Sequence, residues 1–326
     1  MNTRSIVFAN FGGPRNKEEI ETFLSCLLTD PLITGNYLPK RFRSFFFNFI
    51  AKIRTKKITL QYEKIGGFSP IFALTEELAQ IVSQLIKCRV ITFHRYLPST
   101  HCKTLLLIKK ACLEGNILVV PLFPHFTRSV TGSMATFFSQ NLSKKELSQI
   151  SWIKSFGNHF EFIDAMSILI QKYIKINNIH YKDFGLIFSA HGLPKKHINQ
   201  GDSYYEECLN SFSKLEKKLT PIPCKLSFQS KIGPFPWLKP YTKNLCKKIQ
   251  QIMPAQTKIG IVPFGFLSDH IETLFEIEEY YLPIIHSQNK KAFRLPALNL
   301  SSYWIPKLIK IIETSQNFST HEIINN

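Results

Sequence analysis

The chain has 326 residues, 44% of them hydrophobic, enough to bury one large core or two ordinary ones. Its formal charge of +18 calls for anionic partners: nucleic acid, an anionic membrane surface or a small polycarboxylate. Seven cysteines without a CxxC pair, no charged-then-apolar leader and no apolar run near the ~18 residues of a membrane span argue against a disulfide framework and a transmembrane protein; the expectation is a soluble, at most peripheral, protein with reduced thiols.

The first apolar run, SIVFANFGGP (5–14), reads as a strand closed by a tight turn at Gly12-Gly13-Pro14. Residues 37–62, YLPKRFRSFFFNFIAKIRTKKITLQY, then break the pattern with seven Lys/Arg, five Phe and no acid. Such a segment fits an amphipathic helix over the core, a lid over an apolar anionic ligand, or a surface resting on anionic lipid. Single-stranded nucleic acid ranks last, since no RNP motif, zinc knuckle or helix-turn-helix accompanies it. A helical pattern (LTEELAQIVSQLIK, 74–87) leads to the strands VITFHRYLP (90–98) and NILVVPLFP (116–124). The following PLFPHFTRSVTGS carries hydroxyls at Thr127, Ser129, Thr131 and Ser133, which suit either an anion at a strand-to-helix junction or a capped helix start.

After the helical FIDAMSILIQKYIK (162–175) comes FGLIFSAHGLP (184–194), which sets His191 at a strand end. Ligands bind at that edge in open α/β sheets, and an imidazole there moves protons near neutrality, ligates a metal, or is a hydrogen-bonded structural group. The next strand run is CKLSFQSKIGP (224–234), and Trp237, in the Pro-rich FQSKIGPFPWLKPYT (228–242), either stacks on a flat ligand or packs into its own domain. Behind the strand KIGIVPFGF (258–266), Asp269, Glu272, Glu276 and Glu279 are spaced three, four and three apart, one face of an α-helix. That ridge is a solvated face, or a place that binds a divalent cation and passes protons. AFRLPALN (292–299) is a weaker seventh strand candidate; the last helix, YWIPKLIKIIETS, is expected to fold back on the first half and the tail after it to fray.

Strands alternating with helices indicate an α/β fold, and two sets of three indicate two similar Rossmann-like domains joined near 155–160. Neither GxxxxGK[ST] nor GxGxxG is present, so phosphate chemistry is poorly supported. The expected division is 1–157 with the basic aromatic segment at 37–62, 158–300 with His191 and Glu272, and 301–326 for the last helix and tail.

Taken in order, NFGGP, RTKKITLQYEKIGGFSPI (54–71), TFHRYLP, PLFPHFTRSVTGS, FSAHGLP with GDSY, QSKIGPFPWLKPYT and PFGFLSDHIETLFEIEEY resemble the ferrochelatases, which insert ferrous iron into a porphyrin to make haem. The resemblance runs from residue 8 to about residue 300. It implies two Rossmann-like domains, each a parallel four-stranded sheet flanked by helices, with the active-site cleft between them. His191 matches the family's histidine and Glu272 its glutamate, the pair implied to catalyse and to meet Fe2+. Glu276 and Asp269 (with His270, and less securely Glu279) stand behind them as relay or supporting groups. Trp237 and Phe266 match porphyrin-contacting aromatics, Ser129 and Thr131 are placed against the porphyrin, and residues 37–62 fall where the family carries a hydrophobic lip.

The implied reaction is Fe2+ insertion into protoporphyrin IX with release of two protons, in the cytoplasm, at most peripheral to the inner face of the membrane, with no nucleic-acid partner. Coproporphyrin III is the alternative substrate, and a non-catalytic tetrapyrrole carrier or a sugar-nucleotide transferase the alternative function. No cysteine follows Cys246, so no iron–sulfur cluster is expected. The chemistry asks for the same residue types: a base near the pyrrole nitrogens, an oxygen ligand that releases the cation, and apolar walls that hold the macrocycle bent.

Overall fold

In β1 (Thr3–Asn10), Ile6, Val7, Phe8 and Ala9 are all buried, as in a parallel strand covered by helices on both faces. The computed structural model describes residues 3–34, 39–231 and 236–325. Eight further strands follow: β2 (Arg89–His94), β3 (Asn116–Pro121), β4 (Ile150–Ile153), β5 (Phe184–His191), β6 (Cys224–Gln229), β7 (Lys258–Pro263), β8 (Lys291–Arg294) and β9 (Asn317–Ser319). They form two sheets ordered β2-β1-β3-β4-β9 and β6-β5-β7-β8, parallel throughout except for β9. Helices flank each sheet, and the α/β architecture with two parallel sheets is that expected.

In both sheets the order reverses between the first and third strands in sequence: β1 and β3 in one, β5 and β7 in the other. The chains leaving two such strands diverge to opposite sides and open a crevice at their carboxyl ends, where this class of sheet binds ligands. The first compact unit comprises Met1–Leu122, Phe126–Lys154 and Ile312–Asn326; the second comprises Phe123–His125 and Ser155–Ile311.

Two expectations are corrected. The last helix, Ile305–Thr314, belongs through Ile311 to the second unit, where Lys307 lies 2.9 Å from Glu161 and 2.7 Å from Asp164. The tail beyond it is ordered, not frayed: β9 pairs antiparallel with β4, and the helix Thr320–Asn325 buries Thr320 and Ile323. The indole of the fully buried Trp152 donates to the Thr320 hydroxyl at 3.0 Å. The first sheet therefore has five strands in place of four, because the tail covers an otherwise bare edge.

The basic aromatic segment is the helix Lys40–Glu63, packed on the helix Glu19–Thr29; positions 37 and 38 of the expected span lie outside the described residues. Its buried residues Ala51, Thr59 and Tyr62 occupy one side, while Phe42, Phe45, Phe46, Phe49, Ile53 and Leu60 are exposed. The exposed positions recur at three- and four-residue intervals, so they form one apolar stripe facing water.

Candidate active site

His191 ends β5 and Glu272 opens the segment after β7, so the two strands at the order reversal of the second sheet deliver one residue each. Their side chains meet: His191 Nδ1 lies 2.6 Å from Glu272 Oε2. The side chains are 35% and 25% exposed, which leaves the pair open to a ligand. An ionised carboxylate only accepts, so Nδ1 carries the hydrogen, and Nε2 of the neutral ring keeps its lone pair for a proton or a cation.

The loop behind His191 is tightly constrained. Gly192 N–H donates to the Gln229 carbonyl at 2.9 Å, and a Cβ on Gly192 would stand 2.6 Å from that oxygen and 3.1 Å from the Trp237 ring. The Tyr204 hydroxyl donates to the His191 carbonyl at 2.9 Å, and Leu238 N–H donates to Leu193 O at 2.9 Å. Trp237 is thus buried as the wall supporting this loop, and its indole N–H has no partner among the described residues. Residues 232–235 of the same stretch lie outside the described residues. Phe266 is buried too, edge-on to His191 at 6.5 Å between ring centroids and 4.7 Å from the His270 ring.

The four-carboxylate face resolves into a pair and two outliers. Residues Glu272–Tyr281 are wound as a π-helix, so the α-helical register does not hold along the ridge. Glu276 stays with Glu272: the Ser230 hydroxyl lies 2.6 Å from Glu276 Oε2 and 3.1 Å from Glu272 Oε2. Asp269 is committed elsewhere, to Thr273 Oγ1 at 2.7 Å, Asn299 Nδ2 at 2.8 Å and Arg294 Nη1 at 3.1 Å. It ties the start of the π-helix to the segment after β8, a supporting role without contact to the His191–Glu272 pair. Glu279 is exposed.

Charge within the cluster is unevenly held. Burial opposes ionisation of Glu272, but the charge of His191 and its hydrogen bond outweigh burial and hold the carboxyl well below the ordinary range. Burial, then the negative charge of Glu272, push Glu276 up to about 7. Burial works against a charged His191, yet Glu272 opposite it raises the imidazole above its ordinary value. Burial holds His270 down. The site therefore pairs a firmly ionised carboxylate with a second carboxyl that exchanges protons near neutrality and an imidazole whose charged form Glu272 favours.

Ser129 and Thr131 belong to the other compact unit. Ser129 is buried with its hydroxyl donating to Leu32 O at 2.7 Å, and Thr131 is fully buried, so here both serve the interior of that unit. His125, without an assigned role from sequence, is buried in the second unit with Nε2 2.7 Å from Ser211 Oγ; burial lowers it to about 3. Sequence reasoning passed over Gln229, Ser230 and Tyr204. The strings QSK and GDSY contain all three, but nothing in the strings says what an uncharged side chain faces.

Residues 3–316 match the family model described as Ferrochelatase. The chain is 46% identical over 318 residues to a ferrochelatase of Chlamydia felis, covering 98% of each, and 41% identical over 324 residues to one of Chlamydia pneumoniae, covering 99% of this chain and 97% of that one. Among solved structures, SirB from Bacillus subtilis with Fe3+ shares the fold at a TM-score of 0.53 and 12% identity, over 95% of this chain and 94% of that one.

Proposed function

This chain belongs to the ferrochelatase family, and from that premise we propose that it inserts Fe2+ into protoporphyrin IX, releasing two protons and forming protohaem. The observation that carries the reading is the 2.6 Å contact between His191 and Glu272 at the order reversal of the second sheet. Nε2 of His191 faces outward from that contact as the base for a pyrrole N–H or the first nitrogen for the cation. Glu272, anionic across the neutral range, supplies an oxygen that suits a ferrous ion in passage. Glu276, titrating near 7, receives a proton through the Ser230 hydroxyl and gives it up to water without a large energy step.

The test is optical: protoporphyrin IX with Zn2+ or anaerobic Fe2+, followed through its visible bands. The expected result is metal insertion by the wild type and loss of at least ~100-fold of kcat in His191→Ala, the scale of a lost general base. Spectral change of the binding kind alone would favour the tetrapyrrole-carrier reading. The same assay with coproporphyrin III decides the substrate: a higher kcat/KM for it than for protoporphyrin IX overturns the choice made here.

The exposed Phe stripe of the Lys40–Glu63 helix supports peripheral contact with anionic lipid. The helix's one acid is its last residue, Glu63, and an apolar stripe flanked by cations is the pattern of a helix lying in a bilayer interface. No helix among the described residues is long and apolar enough to cross a membrane. Flotation with phosphatidylglycerol vesicles is expected for the wild type and much reduced for Phe45→Ser/Phe49→Ser; equal flotation of both contradicts the assignment.

A further inference from the structure

We infer that Gln229 is a positioning residue for the Glu272–Glu276 arm of the site, its amide held between the Glu272 carbonyl in front and a buried chain of three hydroxyls behind. The inference rests on the ferrochelatase reading above and extends it to a layer without charge. Gln229 is the last residue of β6, in register with His191 on β5, and its carbonyl already accepts from Gly192. Its side chain reaches the other half of the site: Nε2 lies 3.4 Å from the Glu272 carbonyl and 3.4 Å from Glu276 Oε2. One residue thus touches both arms that carry the chemistry.

An amide presents either its NH2 or its oxygen, and the two orientations have nearly the same shape. Here the Glu272 carbonyl, which only accepts, calls for the NH2 in front, and a hydroxyl chain meets the amide oxygen behind. Ser189 Oγ donates to Gln229 Oε1 at 2.7 Å, Ser189 Oγ and Thr242 Oγ1 are 2.8 Å apart, and Thr242 Oγ1 and Ser227 Oγ are 2.9 Å apart. Ser189, Thr242 and Ser227 are all 0% exposed and Gln229 is 2% exposed. The Ser189 hydrogen then goes to Gln229 Oε1, Thr242 can donate to Ser189, and Ser227 can donate to Thr242 or to the Phe188 carbonyl 3.4 Å away.

Turned over, the amide would set its oxygen against Glu276 and leave two acceptors facing each other. Buried polar chains of this kind are costly when half satisfied and specify one arrangement when complete. Groups behind metal-facing ligands commonly change metal affinity ~10- to 100-fold when removed. The contacts of Gln229 are long, so the lower end of that range applies.

The full-length protein tests this in two ways: steady-state insertion with Zn2+ and protoporphyrin IX varied separately, and Zn2+ affinity by calorimetry without porphyrin. Gln229→Leu is expected to raise the KM and Kd for Zn2+ about 10-fold while leaving the KM for porphyrin near wild type. Thr242→Val keeps the shape, loses the hydroxyl and touches neither carboxylate; it is expected to weaken Zn2+ several-fold, and Thr242→Ser, which restores the hydroxyl, to recover it. Unchanged Zn2+ affinity in Gln229→Leu, a parallel rise in both KM values, or equal behaviour of the two Thr242 variants overturns the inference. Should Gln229→Leu fail to fold, the Thr242 pair decides alone. A wild type that binds Zn2+ but inserts none would refute the ferrochelatase reading instead, and the calorimetric comparison would still judge Gln229.

Discussion

Replacing Glu276 by Gln should make the protein more stable at mildly alkaline pH while slowing metal insertion. In the folded protein burial and the neighbouring Glu272 lift Glu276 from 4.5 to about 7. At ~1.4 kcal/mol per pKa unit this corresponds to at most about 3.5 kcal/mol, and to about 1–2 kcal/mol once the water reaching a partly exposed carboxyl is allowed for. The sign follows from which state binds the proton more tightly. A carboxyl raised on folding stabilises the folded state fully below its unfolded value of 4.5, and that stabilisation is gone once pH has risen through about 7. Glutamine never ionises, so the variant escapes the loss. The gain should be small near pH 5 and reach about 1–2 kcal/mol near pH 8, or roughly 3–6 °C in thermal midpoint for a unit of this size. Glu272 shifts the other way: its stabilisation is present above 4.5 and fades only as pH falls towards its lowered value, outside the window compared. Thermal unfolding of wild type and Glu276→Gln at the two pH values measures the effect. A midpoint difference that does not change with pH, or a variant less stable at pH 8, refutes the reasoning.

Gly192→Ala forces a Cβ to 2.6 Å from the Gln229 carbonyl, a backbone atom that cannot swing aside, and should cost about 2–3 kcal/mol and reduce kcat by displacing His191. Gly132→Ala, whose Cβ meets Arg128 at an ordinary 3.4 Å, is the matched control and should melt close to wild type; equal melting of the two variants would show that the close approach is relieved elsewhere. Truncation after Ser315 removes β9, uncovers the β4 edge and leaves the buried Trp152 indole without its Thr320 acceptor, with a loss of about 1–3 kcal/mol from that indole alone and self-association through the bare strand. A monodisperse truncated protein with an unchanged midpoint would contradict the role given to the tail.

The six strongest apolar runs, and the weaker one at 292–299, all contain strands, because each is a short apolar run followed by a Gly or Pro that ends it. β4 (ISWI) and β9 (NFS) escaped notice. They are four and three residues long, and neither has a pattern of its own; β9 forms only because β4 offers an edge to pair with. His191 stood out because it ends a strand, whereas Glu272 was one of four spaced carboxylates and only the resemblance singled it out. The carboxylate ridge was misjudged because α-periodicity was assumed where the chain is π-wound, and Asp269 lies opposite Arg294, a partner 25 residues away. Trp237 showed its aromatic character but not its facing; the glycine it packs on lies in another motif. What the letters hide is direction, and direction decided every correction at the site.

The two sheets match in register but differ in the residues they present at equivalent places. Ala9 of β1 pairs with Pro121 of β3 as Ser189 of β5 pairs with Pro263 of β7. Past those pairs the chain repeats itself: Gly12 and Pro14 correspond to Gly192 and Pro194, and both third strands lead into π-wound segments, Arg128–Gly132 and Glu272–Tyr281. The positions of His191 and Glu272 are then occupied in the first unit by Phe11 and Val130, partly exposed like their counterparts. The backbone thus presents two side chains at each order reversal, and residue identity alone makes one of these places protonic and the other apolar. A His–Glu pair at both would oppose further cationic and anionic groups in a chain of net charge +18 without adding a second reaction. On this argument the fold supplies the position twice, and the difference between the two sheets at that position lies in four side chains.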